Sequence, residues 1–388
     1  MHSSPTKTSA GKKRIHLSLA HIGSVEQEFV LEAFDAGWVT SLGPNVDGFE
    51  HDIASFLGEN VRVAALSAGT AALHLGLILL GVGAGDEVIC QSFTFSASAN
   101  PIKYLGAKPV FVDSEKTTWN MSSQLLETAI EDRIRKTGKR PKAIIPVHIY
   151  GMPARMNEIL AIAKHYDIPV LEDAAEALGS KYENRACGTF GDIAALSFNG
   201  NKIITTSGGG ALVSVNSEFV SRAIFLASQA RDAAPYYQHS HVGYNYRLSN
   251  VCAGIGRGQM MVLPDRVERR RANNLYYRNR LSGITGIEFQ TEPDGCFSNY
   301  WLTAMLVNPD ASGGITCEYL REALEKENIE SRPLWKPLHL QPVFADCPFY
   351  GDGTCESLFE RGICLPSGST LTETDLFRVT DIINRTID

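Results

Sequence analysis

The eight cysteines include no Cys-x-x-Cys pair, and none stands beside histidines at ligand spacing, so neither a zinc site nor a disulfide framework is expected. They read as small buried apolar residues. Basic blocks are missing too. Nothing exceeds the triplets Lys12-Lys13-Arg14 and Arg269-Arg270-Arg271, and the formal net charge of −7 is spread along the chain. That disfavours a nucleic-acid partner and leaves a small anionic ligand open. No segment approaches the ~20 apolar residues of a membrane span, and the polar stretch Met1 to Arg14 lacks a signal peptide's apolar centre. A soluble cytoplasmic protein is the expectation. There is no internal repeat and no low-complexity segment. Dinucleotide-binding context is also lacking, because Gly81-x-Gly83-x-Gly85 precedes an apolar run instead of following one and Gly254-x-Gly256-x-Gly258 has no strand before it.

What is present is length and a regular alternation. The 388 residues suffice for two packed domains. Between positions 61 and 215, apolar runs rich in valine and isoleucine alternate with helix-like stretches, the pattern of an α/β fold with a mostly parallel sheet covered by helices. Strands are predicted at 61–66, 87–91, 109–112, 143–147, 169–171, 193–198 and 211–215, seven in all. After Arg247 the stretches lengthen, with a strand at 301–307 and a helix at 317–326, which suggests a smaller C-terminal α+β domain. Pro264, followed by a charged run, places the division at 1–264 (with an N-terminal segment, 1–35) and 265–388.

In such sheets ligands bind beyond the carboxyl ends of the strands. Asp173 ends the run from Ile168, where a carboxylate could neutralise a cationic ring nitrogen; equally, Asp before Ala-Ala-Glu resembles a helix N-cap. Ser197 to Lys202 is a strand entering a small-residue turn with one lysine. Desolvation there can make that lysine a Schiff-base former, although a single lysine is ordinarily a surface group. Ser67-Ala68-Gly69-Thr70 opens a helix after a strand, where free amides and the Thr70 hydroxyl could hold a phosphate, or simply cap the helix. His148 follows a strand and is either catalytic or a satisfied core histidine. The sequons at Asn120 and Asn384 are expected to be inert.

Taken in order, the segments Gly37 to Pro44, Ser67 to His74, Thr94-Phe95, Glu172 to Gly179, Ser197 to Gly210, Gly243 to Arg247, Arg332 to His339 and Cys364 to Ser367 resemble the DegT/DnrJ/EryC1/StrS sugar aminotransferases of the fold-type I pyridoxal-phosphate superfamily. The resemblance covers nearly the whole chain and implies pyridoxal 5'-phosphate as cofactor. It makes Lys202 the lysine that holds the cofactor and moves protons between carbon atoms. Asp173 becomes the partner of the pyridine nitrogen, Phe95 the residue stacked on the ring, and Gly69, Thr70 and Ser197 the phosphate ligands. Asn245 matches an asparagine that reaches the phosphate from the neighbouring subunit, which implies a homodimer with shared sites. Trp38, Thr40, Trp335, Lys336 and His339 fall in segments that imply contacts to a nucleotide-sugar substrate, with L-glutamate as amino donor.

The chain departs from the family pattern where glutamine is common (Glu176), where glutamate commonly precedes the glycines (Ser207), and in the loop Asn199 to Lys202. These departures resemble the subgroup that aminates UDP-4-keto-6-deoxy-N-acetylglucosamine for surface glycans. Glu176 would face the cofactor's phenolic oxygen, which requires a proton on one of the two. A sugar dehydratase of this fold, with histidine in place of the lysine, is opposed by Lys202, and a non-catalytic regulatory protein by the joint presence of Lys202, Asp173, Phe95 and Thr70. An aminotransferase for small keto acids would need an arginine clamp, for which Arg247 and Arg332 stand as candidates.

Overall fold

The computed structural model describes residues 12–58 and 60–387. The chain enters through α1 (Val25–Asp35) and α2 (Pro44–Leu57), then alternates β1 (Arg62–Leu66), α3 (Gly69–Leu79), β2 (Glu87–Gln91), β3 (Lys108–Val112), α4 (Ser123–Thr137), β4 (Ala143–Ile145), α5 (Met156–His165), β5 (Leu171–Asp173), β6 (Ile193–Ser197), β7 (Gly210–Ser214) and α6 (Ser217–Ala227). Ladders and the parallel bridges Ile144 to Val170 and Val147 to Asp173 join these strands into one sheet of order β1-β7-β6-β5-β4-β2-β3. Only β7 runs antiparallel to its neighbours. The mostly parallel seven-stranded α/β sheet expected from the sequence is therefore present, each strand within a few residues of its predicted place.

Strands covered on both faces need apolar residues at every position, and consecutive side chains point oppositely. Ala195 and Leu212 accordingly join a core with α3 and α6, while their neighbours Leu196 and Val213 join a second core with Phe49 and Ile53 of α2 and Leu263 of the next helix. Helices α4 and α5 close a third core over β2 to β5.

The helix α7 (Asn250–Leu281) then leads into β8 (Ile287–Phe289), β9 (Thr303–Val307), α8 (Cys317–Lys326), β10 (Gly362–Leu365) and α9 (Glu373–Ile387). The short strand Arg332–Pro333 completes an antiparallel sheet of order β8-β9-β10-(332–333), on which α8 and α9 pack. This is the mixed C-terminal unit, and α8 occupies the residues predicted for it. Pro264 does not interrupt the chain's secondary structure: it lies inside α7. A proline costs a helix interior ~3 kcal/mol, a loss offset here by the packing of α7 on α1 and α2.

The glycines at 254, 256 and 258 are what that packing requires. A methyl group on Gly256 would stand 2.6 Å from the ring of the fully buried Phe49, one on Gly254 2.9 Å from Asn45, and one on Gly258 2.8 Å from Glu26. Overpacking costs roughly 1–3 kcal/mol, against a helix-propensity gain for alanine of up to about 1 kcal/mol. Gly256→Ala is expected to destabilise the protein by about 1 kcal/mol or more, measurable by urea unfolding; equal or higher stability would show that the contact is slack.

Candidate active site

The sheet's topology gathers its chemistry at one end. Asp173 closes β5, Ser197 closes β6, and Gly69 opens α3 directly after β1. No helix begins at Asp173, so the capping reading fails: the residues after it are turns, and its carboxylate instead sits buried, accepting from the Ser98 hydroxyl at 2.7 Å and the Ala175 N–H at 3.1 Å. Thr94 in turn lies 2.9 Å from Ser98. Burial pushes the Asp173 carboxyl up, while the Ser98 and Ala175 bonds and the charge of Lys202 pull it back.

At the start of α3 the N-cap residue is Ala68, in extended conformation with no side-chain cap. The start of the helix thus lacks a side-chain cap, and Ala68, Gly69 and Thr70 line the cavity, the arrangement that takes anions. A methyl on Gly69 would stand 3.0 Å from Cβ of Ser197 and 3.2 Å from the Leu196 carbonyl oxygen, so glycine is what brings the helix start against the end of β6.

Lys202 lies in the turn after β6 with its side chain 13% exposed. Its Nζ is 3.5 Å from Oε1 of Glu176 and 4.1 Å from the centre of the Trp301 ring. The loop is held from behind. The Trp301 indole N–H donates to the Asn201 carbonyl at 2.7 Å, and the buried Arg270 guanidinium donates to the carbonyls of Trp301 and, at 3.4 Å, Lys202, as well as to the Ser18 hydroxyl at 2.9 Å. Arg270 has no carboxylate among these partners, and burial disfavours its charge. No local sequence pattern marks Ser98 or Arg270 as part of the site, and Trp301 reads in the sequence only as the start of a strand, which begins at Thr303.

These groups enclose a cavity of about 290 Å³, lined by Gly69, Thr70, Phe95, Asp173, Glu176, Ser197 and Lys202 among others. At about 30 Å³ per water in the liquid it has room for a substituted pyridine bearing one phosphate. The donor set fits such a group: a helix start and hydroxyls for the phosphate, a buried carboxylate for a ring cation, and a lysine between them. Trp335 lines this cavity too, its ring 5.2 Å from that of Phe95. A second cavity of about 600 Å³ adjoins the first, sharing Asn201, Trp301 and Trp335 and adding Lys336 and Arg332.

Other candidates lie elsewhere. His339 lines neither cavity: its ring is bonded to Ser92 and Glu356, both at 2.8 Å, and stacks on Phe349 at 3.6 Å. His148 is fully buried, its Nδ1 accepting from the Ala154 N–H and its Nε2 bonded to Glu172, and so is a satisfied core histidine. Arg247 is committed to Glu50 at 2.6 Å and to the Ala65 carbonyl and lines neither cavity, whereas Arg332, exposed on the wider cavity, pairs with Glu330 at 2.8 Å. Trp38, Thr40 and Asn245 are exposed and line neither cavity of their own chain. Among the described residues no group of three or more His, Cys, Asp or Glu is placed to hold a metal ion, and no helix is long and apolar enough to cross a membrane.

The sequence model described as the DegT/DnrJ/EryC1/StrS aminotransferase family matches residues 20–384. EpsN of Bacillus subtilis (strain 168), whose name carries the words pyridoxal phosphate-dependent aminotransferase, is 49% identical over 375 residues, which are 96% of this chain and 95% of EpsN. The GDP-perosamine synthase of Escherichia coli O157:H7 is 37% identical over 360 residues, 92% of this chain and 94% of that one. Among solved structures, a DegT DnrJ EryC1 StrS aminotransferase from Brucella abortus superposes with a TM-score of 0.86 at 30% identity, covering 93% of this chain and 95% of its own.

Proposed function

Because the chain belongs to the DegT/DnrJ/EryC1/StrS aminotransferase family, and is thereby a pyridoxal-phosphate-dependent aminotransferase, we propose that it moves an amino group from L-glutamate to a nucleotide-linked 4-keto-6-deoxyhexose, UDP-4-keto-6-deoxy-N-acetylglucosamine first among them. The observation that carries this is the pair of adjoining cavities: one holds the lysine and both buried carboxylates, and the other is wide enough for a sugar nucleotide and carries a tryptophan face and an exposed lysine. Bound pyridoxal phosphate supplies a protonated ring that accepts electrons when an amine-bearing carbon loses its proton. The chain's residues do the rest. Asp173 holds the proton on the ring nitrogen, Gly69, Thr70 and Ser197 hold the phosphate, Phe95 covers the ring, and Lys202 holds the cofactor and carries the proton between carbons.

Two copies complete the site. Asn245, Trp38 and Thr40 lie outside their own chain's cavities, and Trp38 belongs to a run of exposed apolar side chains that includes Leu31, Phe34, Val39 and Leu42. Such a run is more than a monomer ordinarily leaves open. A two-fold partner covering it would bring Asn245 towards the phosphate of the other copy.

The name of the Escherichia coli relative supports a second reading, in which the nucleotide is guanosine diphosphate. Incubating the purified protein with glutamate and a panel of UDP-, dTDP- and GDP-linked 4-keto-6-deoxysugars, followed by mass spectrometry, separates the two. Amination of the UDP sugar is expected, amination of the GDP sugar alone favours the second reading, and amination of simple keto acids only would overturn both. Lys336, exposed on the wider cavity, is proposed to meet the diphosphate. Contacts equal in ground and transition states change affinity and leave the chemical step alone. Lys336→Ala should therefore raise KM for the nucleotide sugar about tenfold, the equivalent of ~1.4 kcal/mol, with kcat and the KM for glutamate unchanged. Unaltered KM for the sugar would leave the lysine a solvated surface group.

A further inference from the structure

Glu176 stands where the family's glutamine is common, and its geometry is specific. Its Oε2 accepts the Tyr150 N–H at 2.7 Å, and Tyr150 is fixed in a left-handed backbone conformation at φ 54°. Its main-chain carbonyl is held by the Asn299 amide at 2.9 Å. With one oxygen pinned, the other, Oε1, is left facing Nζ of Lys202 at 3.5 Å. A carboxylate and an ammonium that are largely buried, as Glu176 and Lys202 are, each cost free energy as ions, and moving one proton between them removes both charges. The lysine must also lose a proton before its nitrogen can attack a carbonyl carbon or take a proton from carbon.

We infer that Glu176 is the proton partner of Lys202. As an N–H bond of the ammonium breaks, an O–H bond forms at Oε1, converting a −1/+1 pair into two neutral groups, and the proton returns when the lysine is next released. This rests on the reading of Lys202 as the cofactor-holding lysine.

The surroundings agree. Burial pushes the Glu176 carboxyl up, Lys202 and the Tyr150 N–H pull it down, and the nearby charge of Asp173 pushes it up again. The Tyr150 hydroxyl, which accepts from the Trp335 N–H at 2.8 Å, and the Cys364 thiol lie within range of the Glu176 charge, and burial holds both protonated. Within this set Glu176 is the carboxyl that contacts the lysine; Asp173 is bonded to Ser98 and Ala175 instead.

The test compares the wild-type holoenzyme with Glu176→Gln, which keeps the volume and the acceptor for Tyr150 but cannot titrate. Glu176→Asp, which keeps the titration on a shorter arm, serves as conservative control. Two readouts are followed against pH: the visible absorption of the bound cofactor, and the rate of the isolated glutamate half-reaction. The wild type is expected to show an inflection in both, its rate rising with pH to a plateau. Glu176→Gln should lose the inflection and run flat about 10²-fold below that plateau, while Glu176→Asp keeps an inflection. An inflection unchanged in Glu176→Gln overturns the inference, as does a variant altered only in cofactor affinity. If the visible band survives in Lys202→Ala, the reading of the lysine fails; if it vanishes there but the Glu176→Gln profile matches wild type, only the role of Glu176 fails.

Discussion

Replacing Lys202 with alanine should abolish turnover and remove the visible absorption of the bound cofactor. Among the described residues no second lysine lines the cavity, and no other side chain there can both bond a carbonyl carbon and carry a proton. General acid–base catalysis alone is worth up to about 10⁴-fold, so a fall of at least that size is expected, equivalent to about 5.5 kcal/mol of transition-state stabilisation. Two further effects separate chemistry from charge. The alanine variant deprives Asp173 and Glu176 of the cation that pulls both carboxyls down, so both move further up. Lys202→Arg restores a cation beside Glu176 and over the Trp301 ring but cannot shed its proton. It should be as inactive as the alanine variant. If arginine restored substantial turnover, the lysine would be acting through its charge, and its assignment as the cofactor-holding residue would fall.

A lysine that follows a strand directly can be picked out of a sequence, whereas the residues that hold its loop cannot. Strands buried on both faces announce themselves as short continuous apolar runs, and ligand-binding residues follow such runs directly. Asp173, Ser197, Lys202 and the Gly69-Thr70 turn could therefore be named by position. Trp301 and Arg270 reach the same loop from roughly 70 to 100 residues further along, and Ser98 acts on Asp173 across 75 residues. No local pattern records such pairings. Pro264 does not end α7, because that helix gains enough by packing on α1 and α2 to carry a proline, and the glycines at 254, 256 and 258 serve that same contact. His339 shares its segment with Trp335 and Lys336, yet the turn after Pro337 directs its ring to Ser92 and Glu356. Adjacency in a motif did not make it adjacent to the cavity.

Asp173→Asn is the sharper test of how the site is charged, because it exchanges one atom and leaves the shape. The carboxylate is buried, and its Ser98 and Ala175 bonds fix its plane. An asparagine can keep an acceptor for the Ala175 N–H, so the fold and the bound cofactor should be retained. What is lost is the negative charge. An opposite charge at contact distance shifts a neighbour's pKa by about 1–3 units, so without it the ring nitrogen of the bound cofactor holds its proton some 10- to 10³-fold less well. A ring without that proton is a poor electron sink, and kcat should fall by about 10²- to 10³-fold while cofactor absorption persists. Ser98→Ala, which removes one hydrogen bond to the carboxylate and keeps the charge, should cost about tenfold or less. The order matters more than the sizes: a wild-type kcat in Asp173→Asn, or a Ser98→Ala defect larger than that of Asp173→Asn, would mean that Asp173 positions the loop and does not hold the proton.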